Sequence, residues 1–89
     1  MPEITVTVQH KVGLHARPAS MFVKMASGFE SDITVTNGDR TANAKSILNV
    51  LTLGANQGAQ IVIQAEGPDA DEALAALEAL VKDNFGEAE

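Results

Sequence analysis

The 89-residue chain contains no cysteine, no tryptophan and no tyrosine, and only three phenylalanines and three prolines. Without cysteine there is no disulfide framework, no thiol nucleophile and no cysteine-ligated metal. With Phe as the sole ring type besides two histidines, base-stacking platforms for nucleic acid are nearly absent. Cations are scarce too: six Lys and Arg against twelve Asp and Glu give a formal net charge of −6, whereas phosphate-backbone binding needs clustered positive charge. No apolar run is long enough to cross a bilayer, and no charged-then-apolar leader opens the chain. These absences point to a soluble cytoplasmic protein that neither binds nucleic acid nor inserts into a membrane. Its length supports one domain, residues 1–89, with one modest core.

What charge there is lies unevenly. Residues 1–60 carry Lys11, Arg17, Lys24, Arg40 and Lys45 against Glu3, Glu30, Asp32 and Asp39, a net +1, whereas residues 61–89 set Lys82 against eight acids, a net −7. Lys11, Arg17 and Lys24 fall close in sequence to His15. Such a local cationic face suits an acidic partner or a phosphate; the alternative is a scatter of charges that keeps a small domain soluble.

Hydrophobic periodicity predicts the order β-α-β-β-α-β-α. Met1 to Gln9 alternates with Ile4, Val6 and Val8 on one side, which reads as a half-buried strand. Ala16 to Ser27 reads as a helix burying Ala19, Phe22, Val23 and Ala26, with Gly28 as its stop. Asp32 to Thr36 alternates again, Asn37-Gly38 supplies hairpin-turn chemistry, and Arg40 to Asn43 is the return strand. Ser46 opens a brief helix that Gly54 closes, and Gln60 to Glu66 is a fourth strand. Asp69 is expected to cap the last helix, with Glu72 completing a capping box ahead of the stripe Ala73, Leu74, Leu77, Leu80 and Val81. One-faced strands with helices on their buried side make a two-layer, open-faced α+β sandwich with three helices on one face.

The most informative segment is Gly13-Leu14-His15-Ala16-Arg17-Pro18-Ala19. It sets a histidine at the junction of an extended segment and a helix, with an arginine two residues on. Proline is tolerated in the first helical turn because those N–H groups have no intrahelical partner. The same orphan donors and the positive end of the helix dipole favour an anion. A nucleophilic imidazole beside such a site is what a transferable phosphoryl group needs. His10 reads as a solvated loop residue.

Gly13 to Ala19, followed by Phe22 and Val23, resembles the active-site signature of the phosphocarrier HPr family of the bacterial phosphoenolpyruvate-dependent sugar phosphotransferase system. Lys45-Ser46-Ile47-Leu48, running on to Thr52-Leu53-Gly54, resembles its regulatory-serine segment, and Gln57-Gly58-Ala59 ahead of an apolar strand fits as well. The spacing matches without gaps along essentially the whole chain. Val12 departs from the pattern, standing where many members carry a small polar residue.

The resemblance implies a four-stranded antiparallel sheet of order 1-4-2-3. It implies that His15 accepts a phosphoryl group on Nδ1 from enzyme I, ultimately from phosphoenolpyruvate, and passes it to enzyme IIA domains, with Arg17 clamping the phosphate. Such a carrier is a shuttled substrate rather than an enzyme in the ordinary sense, acts as a monomer, and uses no cofactor and no metal. Ser46 has a local role as a preferred N-cap, worth about 1 kcal/mol; the resemblance adds regulatory phosphorylation in some bacterial groups, with a serine kinase/phosphorylase and a catabolite-control regulator as further partners. Val50 and Leu53 share one stripe of the short helix, while Leu48 and Leu51 rotate away from it, as Met21 does on the first helix. With Ser20, Lys24, Lys45 and Ile47, these residues resemble the family's partner-binding patch; extra core packing is the alternative. A regulatory paralogue in a nitrogen-related branch would share this chemistry. A small-molecule-sensing α/β domain would leave His15 to Pro18 unexplained.

Overall fold

The computed structural model describes residues 2–11 and 13–86, so Val12 and the expectation attached to it lie outside the described residues. The elements are β1 (Glu3–Thr7), α1 (Ala16–Ser27), β2 (Asp32–Asn37), β3 (Arg40–Asn43), α2 (Ile47–Leu51), β4 (Gln60–Glu66), α3 (Ala70–Lys82) and a terminal 3₁₀ turn, Asn84–Gly86. The strands form one sheet in the order β1-β4-β2-β3, every pairing antiparallel. Architecture and strand order are those the sequence and the resemblance led one to expect.

Period-two alternation decides which side chains meet the helices. Ile4 pairs with Ile63 and Val6 with Ile61 between β1 and β4; Val35 pairs with Ile63 and Ile33 with Ala65 between β2 and β4. All belong to, or pack against, a core that takes Ala19, Phe22 and Ala26 from α1, Val50 from α2, and Ala73, Leu74, Leu77 and Val81 from α3. The opposite face of the sheet is open and polar, with Thr36 and Thr41 hydroxyls 3.2 Å apart across the hairpin. β1 is shorter than its alternation suggested. Beyond Thr7 the chain leaves the ladder, yet Val8 stays buried because its N–H donates to Ala59 O and its carbonyl accepts from Gly58 N. Gly28 does end α1, but with φ −78°, so the stop is right-handed; its N–H donates to Met25 O, and Phe29 N donates to Ala26 O.

Asp69 does not do what its position suggested. It is the N-cap residue of α3, but its side chain makes no capping bond there. The carboxylate instead accepts from Glu30 N (2.9 Å), Ser31 N (2.9 Å) and Ser31 Oγ (2.5 Å), at the entrance to β2. Three donors from the start of β2 converge on this one carboxylate, each a charge-assisted hydrogen bond, where a cap would supply one or two first-turn N–H groups. Gly67 makes room for this staple: with φ +150°, a Cβ there would lie 2.7 Å from Ser31 Cα. The Ser31 hydroxyl first, and the Glu30 N–H next, hold the Asp69 carboxyl below the ordinary carboxylate range.

A folded-state pKa below the unfolded one contributes stability above the unfolded value, about 3.9 for Asp, and that contribution is lost as pH falls through the folded value. Asp69→Asn should therefore lower the urea midpoint at neutral pH, and its deficit relative to the parent should shrink as the solution is acidified below about pH 4. Urea titrations across the acid range check this. A deficit independent of pH would mean that the carboxylate's charge does not hold the staple.

Candidate functional site

The connection between β1 and α1 is bonded along its backbone to the loop that follows α2. Leu14 N donates to Ala55 O (2.8 Å), Val8 exchanges bonds with Gly58 and Ala59, and Gln57 Nε2 donates to Gln9 O (3.3 Å). The seam is so close at Gly13 that no side chain fits: at φ +72°, a Cβ would overlap the Ala55 carbonyl oxygen and come within 2.7 Å of Asn56 Cα. Glycine alone combines that dihedral with that approach.

From Gly13 the chain turns at once. His15 N donates to Gly13 O at 2.8 Å, closing a three-residue turn. His15 is then the N-cap residue of α1 in an extended conformation, and its carbonyl accepts from Ala19 N at 2.7 Å. Both backbone groups are engaged, while the imidazole makes no capping bond to the helix it precedes and is exposed. Pro18 is buried in the first turn, where its missing N–H costs no intrahelical bond. Arg17 and Ser20 are exposed on the same opening turns. The result is a fixed backbone, a solvent-facing ring, and a helix N-terminus that favours negative charge.

α1 packs against α2, which brings the second group of residues alongside the first. Ser46 is the N-cap of α2; its hydroxyl accepts from Asn49 N at 3.4 Å and its carbonyl from Val50 N at 3.0 Å. Val50 is the buried residue of this five-residue helix, and Leu53 follows it into the core. Leu48 is 74% exposed, and Met21, Ile47 and Leu51 are each more than a third exposed. Met21, Lys24 and Met25 of α1 also line an open groove of about 280 Å³ with Leu80 of α3. Lys45 differs from a simple surface cation: it is half-buried, and its ammonium donates to Phe29 O at 2.7 Å.

His10 is a correction to the sequence reading. It is not solvated but 5% exposed, with its ring edge-on to Phe85, centroids 6.3 Å apart at 69°. Phe85 is itself buried at a left-handed φ of +58°. A lone aromatic just past the last helix, in a chain with so few rings, was the available signal. The close approach of Gly13 to residues 55 and 56 leaves no local mark in the sequence beyond a glycine. Among the described residues, no three His, Cys, Asp or Glu side chains gather to hold a metal ion, and no helix is long and apolar enough to cross a membrane.

The family model described as the PTS HPr component phosphorylation site matches residues 2–83. The phosphocarrier protein HPr of Vibrio cholerae is 47% identical over 81 residues, covering 91% of this chain and 95% of its own. A crystal structure of HPr-C-His from Thermoanaerobacter tengcongensis superposes with a TM-score of 0.96 at 45% identity over all of both chains. A crystal structure of an HPr dimer from the same organism gives 0.79 at 46% identity, over 98% of this chain and 100% of that one. A histidine left exposed at a helix start by a fully engaged backbone thus sits on a fold and sequence shared from end to end with these carriers, and the chain belongs to the HPr phosphocarrier family of the phosphotransferase system.

Proposed function

We propose that His15 accepts a phosphoryl group from enzyme I and hands it to enzyme IIA domains in the cytoplasm. The observation that carries this reading is the N-cap histidine whose ring does not cap. An N-cap side chain ordinarily satisfies a first-turn N–H; here the imidazole remains available as a nucleophile. A ring nitrogen, Nδ1 in the family pattern, uses its lone pair to form the N–P bond as the bond between phosphorus and the donor breaks. The reverse step at a IIA domain regenerates the free ring, so the chain is consumed and restored as a substrate. Arg17, in the same helical turn, supplies a fork of donors suited to the phosphoryl oxygens. Met21, Ile47, Leu48 and Leu51, flanked by Ser20, Lys24 and Lys45, supply the apolar anchors and polar rim of a transient docking face.

Incubation with phosphoenolpyruvate and enzyme I, followed by intact mass, tests the relay. One acid-labile, alkali-stable phosphoryl group is expected on the parent and none on His15→Ala, whose thermal midpoint should stay close to the parent's because the exposed ring makes no capping bond. Full labelling of the variant would overturn the assignment.

Arg17→Ala should slow both acceptance and donation while leaving the denaturation midpoint nearly unmoved, since the interaction forms with the transferring group. Rapid-quench rates equal to the parent's would remove Arg17 from the transfer step.

Ser46 carries the regulatory part of the proposal, with a serine kinase/phosphorylase and a catabolite-control regulator as its partners. A phosphate there would bring a charge of about −1.5 to −2 beside Leu48 and Lys45, where an acidic partner would be repelled. Ser46→Asp should stay folded, because Asp is itself a good N-cap. It should be phosphorylated more slowly by enzyme I, with the defect easing as enzyme I concentration rises. A variant that transfers like the parent at every concentration would leave Ser46 with its capping role alone.

A further inference from the structure

The tip of the β2–β3 hairpin reaches across to the end of α2. Asn37 Nδ2 donates to Leu53 O at 2.9 Å, and Arg40 Nη1 donates to Thr52 O at 2.9 Å. Asn37 and Arg40 face each other in register as the last pair of the hairpin, so both donors come from one rigid point. The carbonyls at a helix C-terminus have no intrahelical partner and need one from outside. Thr52 and Leu53 are the cap of α2 and the residue after it, and their carbonyls find theirs on the hairpin.

The captured segment lies between two features of the site. Just before it, α2 presents Ile47, Leu48 and Leu51 to solvent. Just after it, Gly54 leads to Ala55, whose carbonyl accepts from Leu14 N, one residue from His15. A displacement at Thr52–Leu53 is therefore passed both to the exposed apolar face and to the seam behind His15. α2 has little of its own with which to resist: five residues cannot sustain a helix in isolation, and Val50 is the one residue it buries.

We propose that Asn37 and Arg40 are positioning residues for phosphoryl transfer: they touch neither phosphate nor histidine, but fix the end of α2 so that the docking face and the Ala55–Leu14 bond keep one geometry. This rests on the relay reading above. A role in stability alone would leave the kinetics of a folded variant unchanged, so the test separates KM from kcat.

The measurement is steady-state phosphorylation by enzyme I and phosphoenolpyruvate at varied carrier concentration, together with amide exchange at Leu14. Asn37→Leu/Arg40→Met removes both donors at similar side-chain size. KM should rise about tenfold, the loss one hydrogen bond's worth of positioning carries, with kcat less affected and Leu14 exchange faster. Arg40→Lys, which keeps a donor, should recover most of the loss seen in Arg40→Met, and this single pair carries the comparison if the double variant does not fold. Ser31→Ala, which weakens the Asp69 staple and removes no donor to Thr52 or Leu53, serves as the stability control and should leave KM unchanged. An unchanged KM in the hairpin variants, or an equal rise in Ser31→Ala, overturns the proposal. If the parent itself takes no phosphate, the relay reading fails, and Leu14 exchange in the hairpin variants still decides whether the clamp reaches the loop.

Discussion

The position of His15 depends on a backbone seam between two loops that belong to no strand or helix. Leu14 bonds to Ala55, Val8 to Gly58 and Ala59, and the whole closes down on a Gly13 that has no room for a Cβ. A loop anchored only at its ends would carry the histidine through a range of orientations. Here the residue before it is fixed by another chain segment, and its own N–H and carbonyl are spent within the turn and the first helical bond. What the backbone leaves unengaged is the exposed side chain, and the relay proposed above calls for a backbone that holds the ring's attachment point in one place.

The other end of α1 is fixed by a different means. Residues 29–31, which connect α1 to β2, receive a cation on one side and an anion on the other: Lys45 donates to Phe29 O, and the Asp69 carboxylate takes the N–H groups of Glu30 and Ser31. Neither charge is matched here with an opposite charge. Each satisfies backbone groups of the appropriate polarity, and a charged partner makes a stronger hydrogen bond than a neutral one. Helix α1 is thus pinned at its start by the loop after α2 and at its end by residues flanking α2 and α3. The chain's uneven charge does not alter this, since both pins act locally and short range.

Much of this was legible in the sequence, and the divide between what was and what was not is physical. Strands β2, β3 and β4 follow from alternation, α1 and α3 from helical stripes, and the Ser46 cap from a local preference, because burial and capping leave periodic or neighbouring marks. Strand order has no such mark, and here it came from resemblance. Asp69 shows the limit clearly: a local rule offered a cap and a capping box, yet donors 38 and 39 residues away took the carboxylate. His10 failed for the same reason, its environment being made by Phe85 from the far end of the chain. Within the site, His15 and Arg17 were readable from a short motif, whereas Gly13's contact with Ala55 and the reach of Asn37 and Arg40 to α2 exist only once distant segments meet.

The short helix poses the remaining question: why a segment with three apolar side chains turned to solvent is ordered at all. Burial is the usual source of helical order in proteins, and α2 has little of it. Turning Leu48 inward would bury more apolar surface, since an exposed leucine forgoes roughly 1.5–3 kcal/mol of burial. The helix instead has its order supplied at the ends: Ser46 at its start, and hairpin donors on Thr52 and Leu53 at its close. End-tethering leaves the outward face uncommitted, whereas order by burial would consume it. An apolar face kept available in this way is what a carrier needs if successive partners are to use one surface, and it accounts for a helix that contributes so little to the core.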